Sequence, residues 1–216
     1  MDQRQVYATV REAGSGLRLL EHPFYTRWSR GELGADELAR YAEQYRHFER
    51  HLPLLLARVI ARIDDPTAAE LVARNLRDEA GSEPTHAQRF ERFAEAVGAR
   101  TEQAPGRAMG QLLALYDTAV TEGPATALAA LAAYEDQARE VAATKAEGLR
   151  AHFGLDGEAV RFWDLHAELD GDHAAWAVEA ISHLAVDQES VHRGARRASQ
   201  AWWAFLDERE AELSVA

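Results

Sequence analysis

The chain is predicted to be all-α, on three observations. Apolar residues recur at steps of three and four through most of its length, the spacing of one helical face. Ala, Leu, Arg and Glu are abundant while Gly (14) and Pro (6) are few among 216 residues, and those common types lose little side-chain freedom in a helix. No segment shows the strict apolar/polar alternation of a half-buried strand.

The elements follow in order. Leu38, Tyr41, Tyr45, Phe48, Leu52, Leu55, Leu56, Val59 and Ile63 mark a helix from Asp36 to Ile63 with Pro53 inside it, where a kink is expected. Asp64-Asp65-Pro66-Thr67 is a stop and restart: Asp65 or Thr67 can cap, and Pro66 suits a first turn. The next helix is predicted to run unbroken from about Thr67 to Val97, ending at Gly98. Pro105-Gly106 opens another through Val120, and Glu122-Gly123-Pro124 closes it. A long helix covers Ala125 to about Phe153, Asp156-Gly157 opens one that reaches about Val186, and a last helix carries Trp202, Trp203, Phe205 and Leu206. About seven helices with short connections describe one bundle, a single domain over 1–216.

Composition narrows the function. Cysteine is absent, which removes disulfides, thiolate ligands and cysteine nucleophiles together. A formal net charge of −12 disfavours binding to nucleic acid phosphates. No window approaches the roughly 20 apolar residues of a membrane helix, and the N-terminus has no signal-type apolar core. The expectation is a cytoplasmic protein with neither a nucleic acid nor a membrane as partner.

Three clusters could carry chemistry. His166, Asp170 and His173 fall within roughly 60° of one another on one helix face, and two imidazoles with a carboxylate suit a divalent transition metal. Asp164, Glu168 and Asp172 share that segment, so a solvated acidic face is the alternative. Glu79 and His86, two helical turns apart, project the same way. Glu83 and His86 form the Glu-x-x-His spacing of ferritin-like di-iron proteins, and spacing does not choose between Glu79 and Glu83. Pro84 should distort the helix nearby. Glu135 continues an apolar stretch from Ala127 to Ala133 that reads as buried, so its charge needs a partner: a metal, or Arg139 one turn on. Lys145, almost three turns further, flanks the same pocket or is solvated. Three carboxylates and three imidazoles on separate helices match the needs of two metal ions; oxygen and imidazole donors favour iron or manganese, with zinc open.

These segments resemble the heme-oxygenase-like di-metal oxidases and oxygenases. That family's pattern is Glu-x6-His, a central Glu, then His-x3-Asp-x2-His, and it is met in order by Glu79, His86, Glu135, His166, Asp170 and His173. The resemblance therefore selects Glu79 over Glu83. Within the superfamily the chain is most similar to the branch of the chlamydial protein associating with death domains (CADD). The similarity is carried by Glu21-His22-Pro23-Phe24-Tyr25-Thr26-Arg27-Trp28, Tyr41-Ala42-Glu43-Gln44-Tyr45, Pro84-Thr85-His86 and Tyr134-Glu135 with Gln137, over about Leu20 to Ala180.

The resemblance implies a heme-oxygenase-like helical bundle of the TenA and PqqC type. It also implies two transition-metal ions (Fe/Fe or Mn/Fe), O2 as co-substrate and an external reductant or electron donor. It implies synthesis of p-aminobenzoate for folate from the protein's own tyrosine, with Tyr25 at the sacrificed position and Lys145 at that of the amino donor. Tyr41, Tyr45 and Tyr134 match other pocket tyrosines, although an i,i+4 pair such as Tyr41 and Tyr45 also suits a core. Two other readings stand beside it. One is a di-iron oxygenase acting repeatedly on a small external substrate such as a fatty or amino acid; the other is a non-enzymatic helical binding module with solvated polar faces. Thiaminase-type relatives need a cysteine, and a heme oxygenase needs one axial His near the N-terminus, where His22 sits awkwardly before Pro23. Dimers are common in this fold, and a homodimer is open.

Overall fold

The computed structural model describes residues 1–212, with Asp170 described in its backbone alone. Nine α-helices lie among the described residues: α1 (Gln3–Ala13), α2 (Pro23–Ser29), α3 (Ala35–Ile60), α4 (Pro66–Ala80), α5 (His86–Ala96), α6 (Arg107–Glu122), α7 (Pro124–His152), α8 (Arg161–Ser182) and α9 (Gln188–Ala211), with single 3-10 turns at Leu19–Glu21 and Gly157–Ala159. That exceeds the expected seven because the sequence marked no helix at Gln3–Ala13 or Pro23–Ser29 and because one predicted helix is two.

The break lies in the segment Thr67 to Val97. Gly81 caps α4, and a Cβ there would sit 2.5 Å from the Arg77 carbonyl oxygen, so a larger residue does not fit. Pro84 then keeps Glu83 out of helical geometry. Thr85 restarts the chain by accepting from the Gln88 N–H, with the Gln88 side chain accepting from the Thr85 N–H, a reciprocal cap that makes His86 the first residue of α5. The predicted helix from Asp156 likewise splits into a 3-10 turn and α8, which ends at Ser182 rather than Val186.

At the centre stands α7. Residues 125–135 of it are all buried, and its many alanines let α8 and α9 pack closely along it. Gly148 serves the same end: a Cβ there would meet Trp28 Cδ1 at 2.8 Å, so only glycine lets the ring lie against α7. On the other side α3 packs against α4, α5 and α6. One apolar cluster runs through all nine helices. No helix among the described residues is long and apolar enough to cross a membrane.

Candidate metal centre

The site is assembled where the end of α4 and the start of α5 meet the interior turns of α7 and α8, inside that cluster. Glu79, His86, Glu135, His166 and His173 are all buried. Ligand-type atoms of Glu79, His86 and His166 lie within 4.8 Å of one another. His86 Nδ1 is 3.0 Å from Glu79 Oε2, yet that nitrogen has no aligned hydrogen-bond partner. His173 turns Nδ1 toward Glu79 Oε1 at 3.7 Å. The side chain of Asp170, the remaining expected ligand, lies outside the described residues.

The neighbours of these groups prepare them as ligands. His166 Nδ1 lies 2.9 Å from the Phe162 carbonyl; an N–H there leaves Nε2 with its lone pair facing the other donors. Burial pushes the His166 pKa down to about 3, which keeps the ring neutral and able to ligate. Asp78 Oδ2 lies 3.3 Å from His173 Nε2, the carboxylate–histidine contact that orients a ligand ring. Burial opposes charge on Glu79, but His86 and the flanking imidazoles outweigh it and hold its carboxyl below the usual range. Glu135 accepts from Asn75 Nδ2 at 3.0 Å through Oε1, while its Oε2 has no hydrogen-bond partner. Burial pushes the Glu135 pKa up, with His173 and Asn75 opposing. A buried carboxylate oxygen, Glu135 Oε2, and a buried imidazole nitrogen, His86 Nδ1, both without a hydrogen-bond partner, fit a bound cation.

A small cavity of about 10 Å³ is lined by Glu79, Glu135, His166 and His173 and also by Tyr45, Glu49 and Tyr134. Glu135 also lines an outer cleft of about 500 Å³ between α1, α7 and α8. Arg139, the alternative partner for Glu135, is exposed and lines that cleft. Glu83 is exposed in the break between α4 and α5.

From the cavity the tyrosines lead inward. The Tyr45 and Tyr134 hydroxyls share a hydrogen bond, and Tyr41 stacks on Tyr45 with centroids 5.4 Å apart. The Tyr41 hydroxyl lies 3.0 Å from that of Tyr25. Lys145, 1 % exposed, donates to Tyr41 Oη at 2.6 Å. Its ammonium lies 4.8 Å from the Tyr25 ring centroid, 4.9 Å from that of Tyr45 and 4.0 Å from that of Trp163, an aromatic cage that replaces water around a cation. Burial pushes the Tyr25 phenol well above its ordinary pKa, so its proton stays on.

Four residues of this arrangement escaped the sequence reading: Glu49, Asn75, Asp78 and Trp163. For Glu49 the signal was present. It lies between Phe48 and Leu52 and one turn after Tyr45, and a carboxylate inside an apolar stripe is the same feature that marked Glu135. Asn75 is one turn before Glu79, a position that means nothing until Glu79 is known to be buried. Asp78 and Trp163 had no distinguishing pattern.

Fold and site together define a helical protein built around a buried carboxylate–imidazole cluster of a kind that could hold a metal ion. Residues 39–203 match the family described as iron-containing redox enzymes, of heme oxygenase type, and the chain belongs to that family. The 4-aminobenzoate synthase of Chlamydia muridarum is 33% identical over 196 residues, spanning 88% of this chain and 83% of that one. The 4-aminobenzoate synthase of Nitrosomonas europaea is 33% identical over 207 residues, spanning 88% and 84%. A solved domain of unknown function with a heme oxygenase-like fold, from Shewanella denitrificans, superimposes with a TM-score of 0.80 at 18% identity, covering 100% of this chain and 94% of that one. The expected all-α, heme-oxygenase-like fold is the one found.

Proposed function

We propose that this chain makes 4-aminobenzoate from its own Tyr25, with Lys145 supplying the amino group, in an O2-dependent reaction at a two-metal centre. The observation that carries it is the placement of Lys145. A buried ammonium lies over the face of a buried tyrosine ring, and one hydroxyl, that of Tyr41, touches both the lysine nitrogen and the Tyr25 hydroxyl. The chemistry of the product agrees: a tyrosine ring with its Cβ has the seven carbons of 4-aminobenzoate, and nitrogen must replace the phenol oxygen. Relatives bearing that activity's name align over most of the chain.

Glu79, His86, Glu135, His166 and His173, with Asp170 from the family pattern, would hold the metal ions, as Fe/Fe or Mn/Fe. When bound, the ions supply activation of O2 with electrons from an external donor. The protein's part is to exclude water and fix the reactants. Tyr41 accepts the Lys145 N–H and shares a hydrogen bond with the Tyr25 hydroxyl, and the aromatic cage holds the lysine nitrogen at the ring that needs it.

The test is a single-turnover assay. Anaerobically purified protein is loaded with iron, or iron and manganese, and given O2 and reductant. The expected yield is at most one 4-aminobenzoate per chain, carrying label when the protein is grown on ring-labelled tyrosine and nitrogen label when grown on labelled lysine. Tyr25→Phe should release none. Release from that variant at the normal yield ends the proposal, and turnover well above one per chain supports an external substrate instead.

A further inference from the structure

We propose that Glu49 is a further carboxylate donor of the metal centre, delivered by α3, a helix on which the family pattern places no ligand. The inference rests on the buried metal site and is independent of the 4-aminobenzoate reading. Glu49 is 3 % exposed, its Oε2 has no hydrogen-bond partner, and it lines the same cavity as Glu79, Glu135, His166 and His173. The basic residues nearest to it on α3 turn elsewhere: Arg46 and Arg50 both pair with Glu91, at 3.0 and 2.9 Å. Two groups do bear on Glu49, the Tyr45 hydroxyl by a hydrogen bond and the charge of Lys145, which is itself held by Tyr41 and the aromatic cage; neither meets Oε2. A carboxylate enclosed in this way is costly unless a cation or a proton meets it, and the cavity it faces is the one built from metal-ligand side chains.

Charge balance points the same way. Two divalent ions bring four positive charges, and the three carboxylates of the family pattern leave one of them uncompensated in a buried site. A fourth carboxylate makes the centre neutral. Glu49 also sits one turn from Tyr45 and two from Tyr41, so metal binding at Glu49 would set the position of the helix that carries both tyrosines.

The test is anaerobic titration of the full chain and its Glu49→Gln variant with iron(II) and with manganese(II). Stoichiometry is read by elemental analysis, affinity by calorimetry and the iron environment by Mössbauer spectroscopy. Wild type should bind two ions. Glu49→Gln, equal in size, should fold with an unchanged or higher melting temperature while losing one ion or binding it about 10- to 100-fold more weakly. Glu49→Asp, which keeps the charge but falls short of the cavity, should lie between. Two ions bound to Glu49→Gln with wild-type affinity and spectrum would overturn the inference, and so would a wild type that binds fewer than two. A protein that binds both ions yet releases no 4-aminobenzoate leaves Glu49 standing and removes only the proposed reaction.

Discussion

His22 shows how much one side chain does at the start of the helix that carries Tyr25. Its Nδ1 accepts the Phe24 N–H and so caps α2, while Nε2 lies 3.1 Å from Asp207 Oδ1, which assigns the ring proton to Nε2. Burial pushes its pKa down, with Asp207 partly opposing. The folded value therefore lies below the ordinary one of about 6.5. Below that pH the unfolded chain takes up a proton that the folded chain refuses, so His22 contributes stability above about pH 6.5 that is lost as the pH falls. Replacement by Asn, a good cap that does not titrate in this range, should flatten the decline in melting temperature between about pH 6.5 and 5; an unchanged slope would place the titration elsewhere. The comparison of Glu135 with Glu49 makes a second point at this scale. Both are carboxylates within apolar stripes, but Glu49 lies among Glu43, Arg46 and Arg50, and that polar company hid it.

At the scale of elements, the segment between α4 and α5 matters most. The offset of seven from Glu79 to His86 reads as two turns of one helix, and the two side chains do meet. The reason differs: the chain leaves helix at Gly81, turns through Pro84 and starts again at Thr85, so His86 arrives from a new helix. Thr85→Ala removes the cap and should cost about 1 kcal/mol in urea denaturation. It should also weaken iron binding several-fold in titration, because His86 is the first residue after that cap. Stability lost with metal affinity intact would show that packing of α5, not its cap, positions His86. The last helix teaches the converse. Its sequence was the least distinctive, yet Trp202 stacks on Tyr134 at 4.1 Å and donates to Tyr116 at 3.0 Å, closing the tyrosine cluster from the far side.

For the whole molecule, the centre is a cross-link. Its donors come from α4, α5, α7 and α8, so a bound ion ties together helices that are otherwise joined by apolar packing and loops. An ion that binds the folded chain alone, present at 100 times its Kd, should raise stability by about 2.7 kcal/mol. The check is the melting temperature with iron(II) and after chelation: wild type should rise and return. His86→Ala should show little response, and a full response from that variant would place the ion elsewhere.

Helix content, most helix boundaries and the candidate donors were readable from the chain alone, because the 3.6-residue period, caps and breakers act over a few neighbouring residues. The choice of Glu79 over Glu83 needed either the family pattern or the fold, since both sit at workable spacings from His86; the fold leaves Glu83 exposed and buries Glu79 against the ring. What only the tertiary structure decided is which distant groups meet. Lys145 enters an aromatic cage, Asn75 holds Glu135, Asp78 lies against His173, and Glu49 faces the cavity. Those relations depend on how four helices cross, and a crossing is set by packing summed over whole helix faces rather than by local sequence.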